Sequence, residues 1–158
     1  MKNKDKELLR VEDLRVHFEL KGSMTGSLLG KKKKTLKAVD GVSFSLYAGE
    51  ILALVGESGS GKTTIGKAIL HLLDQTKGSI IFQGQEIGTS PQELKAFRRN
   101  AQMIFQDPYQ SLNPRHYIMD IVAEPLDVIG LVKSTGERTR LVKEALEQAG
   151  LIPGEDYF

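Results

Sequence analysis

An apolar run that turns through three glycines into a helix is the feature that most constrains this chain. Ile51-Leu52-Ala53-Leu54-Val55 leads into Gly56-Glu57-Ser58-Gly59-Ser60-Gly61-Lys62-Thr63, and then into Thr64 to Leu73, with apolar residues at 65, 68, 69, 72 and 73. That order, buried strand then glycine-rich loop then amphipathic helix, is the setting in which the G-x-x-x-x-G-K-[ST] pattern acts as a phosphate loop. The glycines let the main chain approach an anion closely, so successive N–H groups can turn inward around it. The positive end of the following helix adds to the cradle, Lys62 can reach β and γ phosphates, and the Thr63 hydroxyl is placed to ligate Mg²⁺. A glycine-rich turn that binds nothing is a poor account of so specific a string.

Composition narrows the setting. The 158 residues give room for one domain, and no cysteine is present, which excludes disulfides, thiolate metal sites and cysteine nucleophiles from this chain. A charged start, Met1-Lys2-Asn3-Lys4-Asp5-Lys6-Glu7, and no apolar run of spanning length read as a chain without a secretory leader or membrane helix, placed in the cytoplasm. The net charge of +2 is uneven: residues 1–37 hold eleven Lys/Arg against five Asp/Glu. The densest part, Lys31-Lys32-Lys33-Lys34, follows a stretch rich in Gly and Ser and reads as a solvated loop. Nucleic acid or anionic lipid is the sharper alternative, disfavoured because no aromatic residue interleaves with the lysines.

Along the chain, residues 11–20 place Leu14, Val16, Phe18 and Leu20 on one side of a half-buried strand, and Val42, Phe44 and Leu46 alternate in a second. The helix after the phosphate loop is expected to end near Leu73, with another strand at Ser79 to Phe82. Ser90-Pro91-Gln92-Glu93 combines a capping serine, a proline at the first helical position and a glutamate three residues after the cap, predicting a helix to about Arg99. Ala101 to Phe105 reads as a strand, Tyr117 to Ile129 as a helical pattern interrupted at Pro125, and Gly136 to Ala149 as a last helix with Ser134 and Glu137 as a capping box and Gly150 as terminator. His17, His71 and His116 show no ligand spacing and read as surface or packing residues.

Three separated pieces together resemble the N-terminal half of an ATP-binding cassette (ABC) transporter ATPase, of the oligopeptide/dipeptide importer branch. They are Gly56 to Thr63 with the lead-in Val39-Asp40-Gly41-Val42-Ser43-Phe44, the segment Met103-Ile104-Phe105-Gln106-Asp107-Pro108-Tyr109-Gln110-Ser111-Leu112-Asn113-Pro114-Arg115, and Ala123-Glu124-Pro125-Leu126. The resemblance covers residues 8 to 158. It implies an α/β fold: a P-loop NTPase core of ABC type with an N-terminal antiparallel β-subdomain and the start of a helical subdomain, incomplete as it stands. Residues 8–105 would form the core and β-subdomain, and 106–158 the Q-loop and the beginning of the helical subdomain.

By the same resemblance ATP and Mg²⁺ are the cofactors. Gly56, Glu57, Ser58, Gly59, Ser60, Gly61, Lys62, Thr63 and Thr64 would hold the phosphates, Thr64 reaching the α phosphate. Gln106 would be the Q-loop glutamine that helps to ligate the metal, and Phe18 falls where the family stacks an aromatic ring on adenine, although it equally fits the apolar face of its own strand. Transmembrane permease subunits, a second ATPase subunit and, indirectly, an extracellular or periplasmic peptide-binding protein are the implied partners, with no nucleic acid, at the cytoplasmic face of the membrane.

The departures carry as much weight. The family's signature sequence, its Walker B aspartate with the catalytic glutamate, its D-loop and its switch histidine are not found here, so the catalytic residues are expected beyond Phe158 and the 158 residues alone are expected not to turn over ATP. In the family the Walker B strand pairs beside the phosphate-loop strand, so the sheet is expected to be short of members. Two other readings stay open: an unrelated P-loop kinase or GTPase, for which no acceptor site or guanine-reading motif is found, and a nucleotide-binding module without catalysis.

Overall fold

A computed structural model of the chain describes residues 6–20, 34–107 and 112–158. The chain forms two units, Met1–Gln102 and Met103–Phe158. The basic run at 31–33 and the loop residues 108–111 lie outside the described residues.

The first unit is built on an antiparallel sheet of order β2-β1-β3-β4, with β1 at Glu7–Leu20, β2 at Lys34–Tyr47, β3 at Lys77–Phe82 and β4 at Gln85–Glu86. β1 is central because it offers apolar residues to one face along most of its length. Leu9, Val11, Leu14 and Val16 are all buried, and the change of spacing between Val11 and Leu14 is absorbed by a register shift at that place. Helix α1, Lys62–Ile69, lays Ile65 and Ala68 onto this layer, where Val39 and Ile80 complete the core. Helix α2, Pro91–Arg98, starts as its sequence requires: the Ser90 side chain accepts from the Glu93 amide while the Glu93 carboxylate accepts from the Ser90 amide. Its buried Phe97 meets Phe82 edge-on, with ring centroids 5.2 Å apart.

The second unit packs α3, Ile118–Ile129, against α4, Thr135–Gln148, through Ala123, Val142 and Leu146, with a short 3₁₀ turn at Gly154–Tyr157. Arg138 joins the two helices by donating to both Asp120 and Asp127.

Several expectations are corrected. Ile51–Val55 is not a buried strand: among the described residues it pairs with no other strand, and Ile51 and Val55 are 94% and 93% exposed. Ala101 to Phe105 likewise forms no ladder, and Ile104 is 94% exposed. An extended segment becomes a strand only when a neighbour takes its N–H and C=O groups, and here none is present among the described residues. Helix α1 ends at Ile69 instead of near Leu73, because His71 adopts φ 49 and turns the chain away. Pro125 does not interrupt its helix; α3 runs through it, and the buried Ala123 face offsets the lost hydrogen bond. At α4 the Ser134 side chain caps the Glu137 amide, but Glu137 accepts from Lys133 rather than Ser134, so the cap is not reciprocal.

Candidate nucleotide-phosphate site

The loop from Gly56 to Lys62 bends so that its polar groups close on one cation. Lys62 Nζ donates to the Gly56 carbonyl at 2.8 Å, the Glu57 carbonyl at 2.6 Å and Ser60 Oγ at 3.2 Å. The Ser60 amide returns to the Glu57 carbonyl at 3.2 Å, tightening the turn. Lysine is long and flexible enough to fold back over its own loop, and each of these bonds joins a full charge to a dipole. The loop itself is exposed, whereas Gly61 is buried.

Gly61 is the hinge of this arrangement. It caps α1 with φ 94, in the left-handed region, and a Cβ there would collide with the Ala38 carbonyl oxygen of β2. Only glycine therefore lets the loop sit this close to the sheet. No side chain caps the helix, and the first intrahelical bond runs from the Ile65 amide to the Gly61 carbonyl. The amides of Lys62, Thr63 and Thr64 consequently have no partner within the helix and lie at its positive end. An anion with several oxygens fits such a terminus, and the loop's bonds to Lys62 can be exchanged for bonds to that anion.

Gly56, Glu57, Ser58, Gly59, Ser60, Gly61, Lys62, Thr63 and Thr64 thus lie on one continuous loop and helix start. Thr63 is exposed at the second helical position, and its hydroxyl is the hard oxygen donor that Mg²⁺ favours. Gln106 belongs to the second unit, where it is exposed at a bend. Phe18 stands near the end of β1, 39% exposed, opposite Leu36 of β2. Among the described residues no group of three or more His, Asp or Glu could hold a metal ion. A separate cleft of ≈ 360 Å³ beside Phe82, Gln85 and Phe97 is lined by Glu93, whose carboxylate the Ser90 cap already engages and holds below the usual range; it lies outside the phosphate loop.

The sequence carried no signal for two contacts of β2. One is Ala38, whose carbonyl forms the floor under Gly61. The other is the link from His17 Nε2 to Asp40 Oδ1 at 3.1 Å, which joins residues 23 apart that only strand register brings together. His71 fits its packing reading: burial, then the Arg98 charge, pushes its pKa down.

The chain is similar to known proteins along most of its length. The family model described as ABC transporter matches residues 39–156. The chain is 46% identical over 149 residues to the oligopeptide transport ATP-binding protein OppF of Escherichia coli, covering 94% of this chain and 44% of that protein. It is 48% identical over 147 residues to the glutathione import ATP-binding protein GsiA of Escherichia coli, covering 92% of this chain and 23% of that protein. The chain therefore spans less than half the length of either relative. Among solved structures, the fold matches the dimeric post-hydrolysis ATP-binding cassette MJ0796 bound to ADP and Pi, with TM-score 0.71 and 22% identity over 90% of this chain and 57% of that one. It also matches cbiO1 from Clostridium perfringens, part of the ABC transporter complex cbiONQ, with TM-score 0.66 and 22% identity over 94% of this chain and 52% of that one.

Proposed function

The chain belongs to the ABC transporter family, and from that premise we propose that residues 56–64 bind the phosphates of ATP in an ATPase subunit that powers import of peptides. The observation that carries this reading is the Lys62 ammonium held by Gly56, Glu57 and Ser60 over an uncapped helix start. Bound ATP would supply the phosphoryl group whose transfer to water releases the energy for transport. Lys62 would neutralise phosphate charge, the amides of residues 62–64 would donate to the phosphate oxygens, and the Thr63 hydroxyl would help to hold Mg²⁺. Phe18 offers the base an exposed aromatic face. Gln106 takes its role from the segment Met103 to Asp107 in which it lies.

The names of the two relatives support peptide cargo, since one serves oligopeptides and the other glutathione, itself a short peptide. In this reading the working unit pairs two ATPase subunits beneath membrane permease subunits, at the cytoplasmic face. No helix among the described residues is long and apolar enough to cross a membrane.

Titration of the chain with Mg-ATP by calorimetry tests the site. Lys62→Ala is expected to weaken binding about 10- to 100-fold, the loss of charge-assisted bonds to phosphate. Unchanged affinity in that variant would remove the assignment.

A further inference from the structure

Strand β2 touches both ends of the proposed nucleotide site within three residues. At Ala38 its carbonyl lies under Gly61 of the phosphate loop, and at Leu36 it pairs with Phe18. The β1–β2 register slips between Val16 and His17, one residue ahead of Phe18. Where register slips, the backbone ladder alone fixes poorly the direction of the side chains that follow.

Asp40 bridges that slip. Its Oδ1 accepts from His17 Nε2 at 3.1 Å and lies 3.6 Å from the Arg15 guanidinium, while its Oδ2 accepts from Lys37 Nζ at 3.0 Å. On the other flank the His17 amide donates to Thr76 Oγ1 at 2.8 Å, and the Thr76 amide donates to the Arg15 carbonyl at 2.7 Å. Residue 17 is thus gripped from both sides, and Phe18 follows it directly. The hydrogen bonds from Lys37 and then His17 hold the Asp40 carboxyl below its usual range, so the clamp is charged near neutral pH.

We propose that Asp40, through His17, is a positioning residue for the nucleotide base: the clamp sets the direction of Phe18 relative to the phosphate loop. The proposal rests on the reading that residues 56–64 bind ATP and that Phe18 stacks on its base. It makes Asp40 matter to the base and not to the phosphates, which separates it from a general structural role.

The test compares Mg-ATP with inorganic tripolyphosphate, which carries the phosphates without a base, on the full 158-residue chain. Asp40→Ala and His17→Leu are expected to lose about three- to fivefold in ATP affinity with tripolyphosphate binding unchanged. His17→Gln, whose amide can still donate to Asp40, is expected to stay within about twofold of the parent chain. Added to Phe18→Ala, Asp40→Ala is expected to cost nothing further, because the clamp acts through that ring. Equal losses for both ligands, or no loss for either, would overturn the clamp. Failure of the parent chain to bind tripolyphosphate would instead remove the phosphate-site reading, and the clamp with it.

Discussion

The apolar side chains of β1 and those of Ile51–Val55 are of the same kind, yet they end in opposite surroundings. Val11, Leu14 and Val16 are at most 1% exposed, whereas Ile51 and Val55 are 94% and 93% exposed. β1 lies between β2 and β3, so its backbone groups are paired on both edges and α1 closes over its apolar face. Ile51–Val55 has no such neighbour among the described residues, although it leads into the most specific loop of the chain. The difference teaches that an apolar run states only a capacity to be a strand. Whether it becomes one depends on a partner supplied by another part of the chain.

The sharpest way to break this contrast is truncation on each side of it. Leu14→Ala is expected to destabilise the first unit by about 2–5 kcal/mol, because it empties a filled place in the core. Ile51→Ala is expected to change stability by less than about 0.5 kcal/mol, since its side chain packs on almost nothing. Urea unfolding of both variants checks the pair; equal costs would mean that Ile51 is buried in solution.

A smaller effect sharpens the contrast at the helix starts. Ser90→Ala breaks a reciprocal cap and is expected to cost about 1 kcal/mol, while Ser134→Ala removes one bond only and is expected to cost less. Thermal unfolding of the two variants ranks them.

The smallest effect is with pH. The pKa of Asp13 is lowered chiefly by its hydrogen bond from Arg15, that of Asp40 by Lys37 and then His17, and that of Glu155 by Lys143. Each carboxyl is more acidic folded than unfolded. Its contribution is therefore complete above the unfolded value and is lost as pH falls through the folded one. All three are exposed groups, so Tm is expected to decline gently below about pH 4, and less steeply at high salt. A Tm that rises on acidification would contradict the ion-pair assignment.

Local chemistry was the legible part of the sequence. The capping box at Ser90, the two alternating strands and the glycine-rich loop all follow from short-range rules, and each appears in the fold. Long-range placement was not legible. Nothing in Asp40 or His17 announces their bond, because it follows from strand register with an irregularity between them. Pro125 misled for a related reason: its penalty is local, whereas the packing of Ala123 on Val142 and Leu146 that outweighs it comes from another helix. The early end of α1 turns on a left-handed His71, a conformation that an ordinary helical pattern does not reveal.

The most direct measurement is a backbone amide NMR titration of the chain with Mg-ATP. The account predicts the largest shifts at Gly59 to Thr64, with the Lys62 ammonium leaving the Gly56 and Glu57 carbonyls as phosphate enters, and smaller shifts at Phe18. Saturation with no response at residues 59–64, or shifts confined to the cleft beside Phe97, would contradict it.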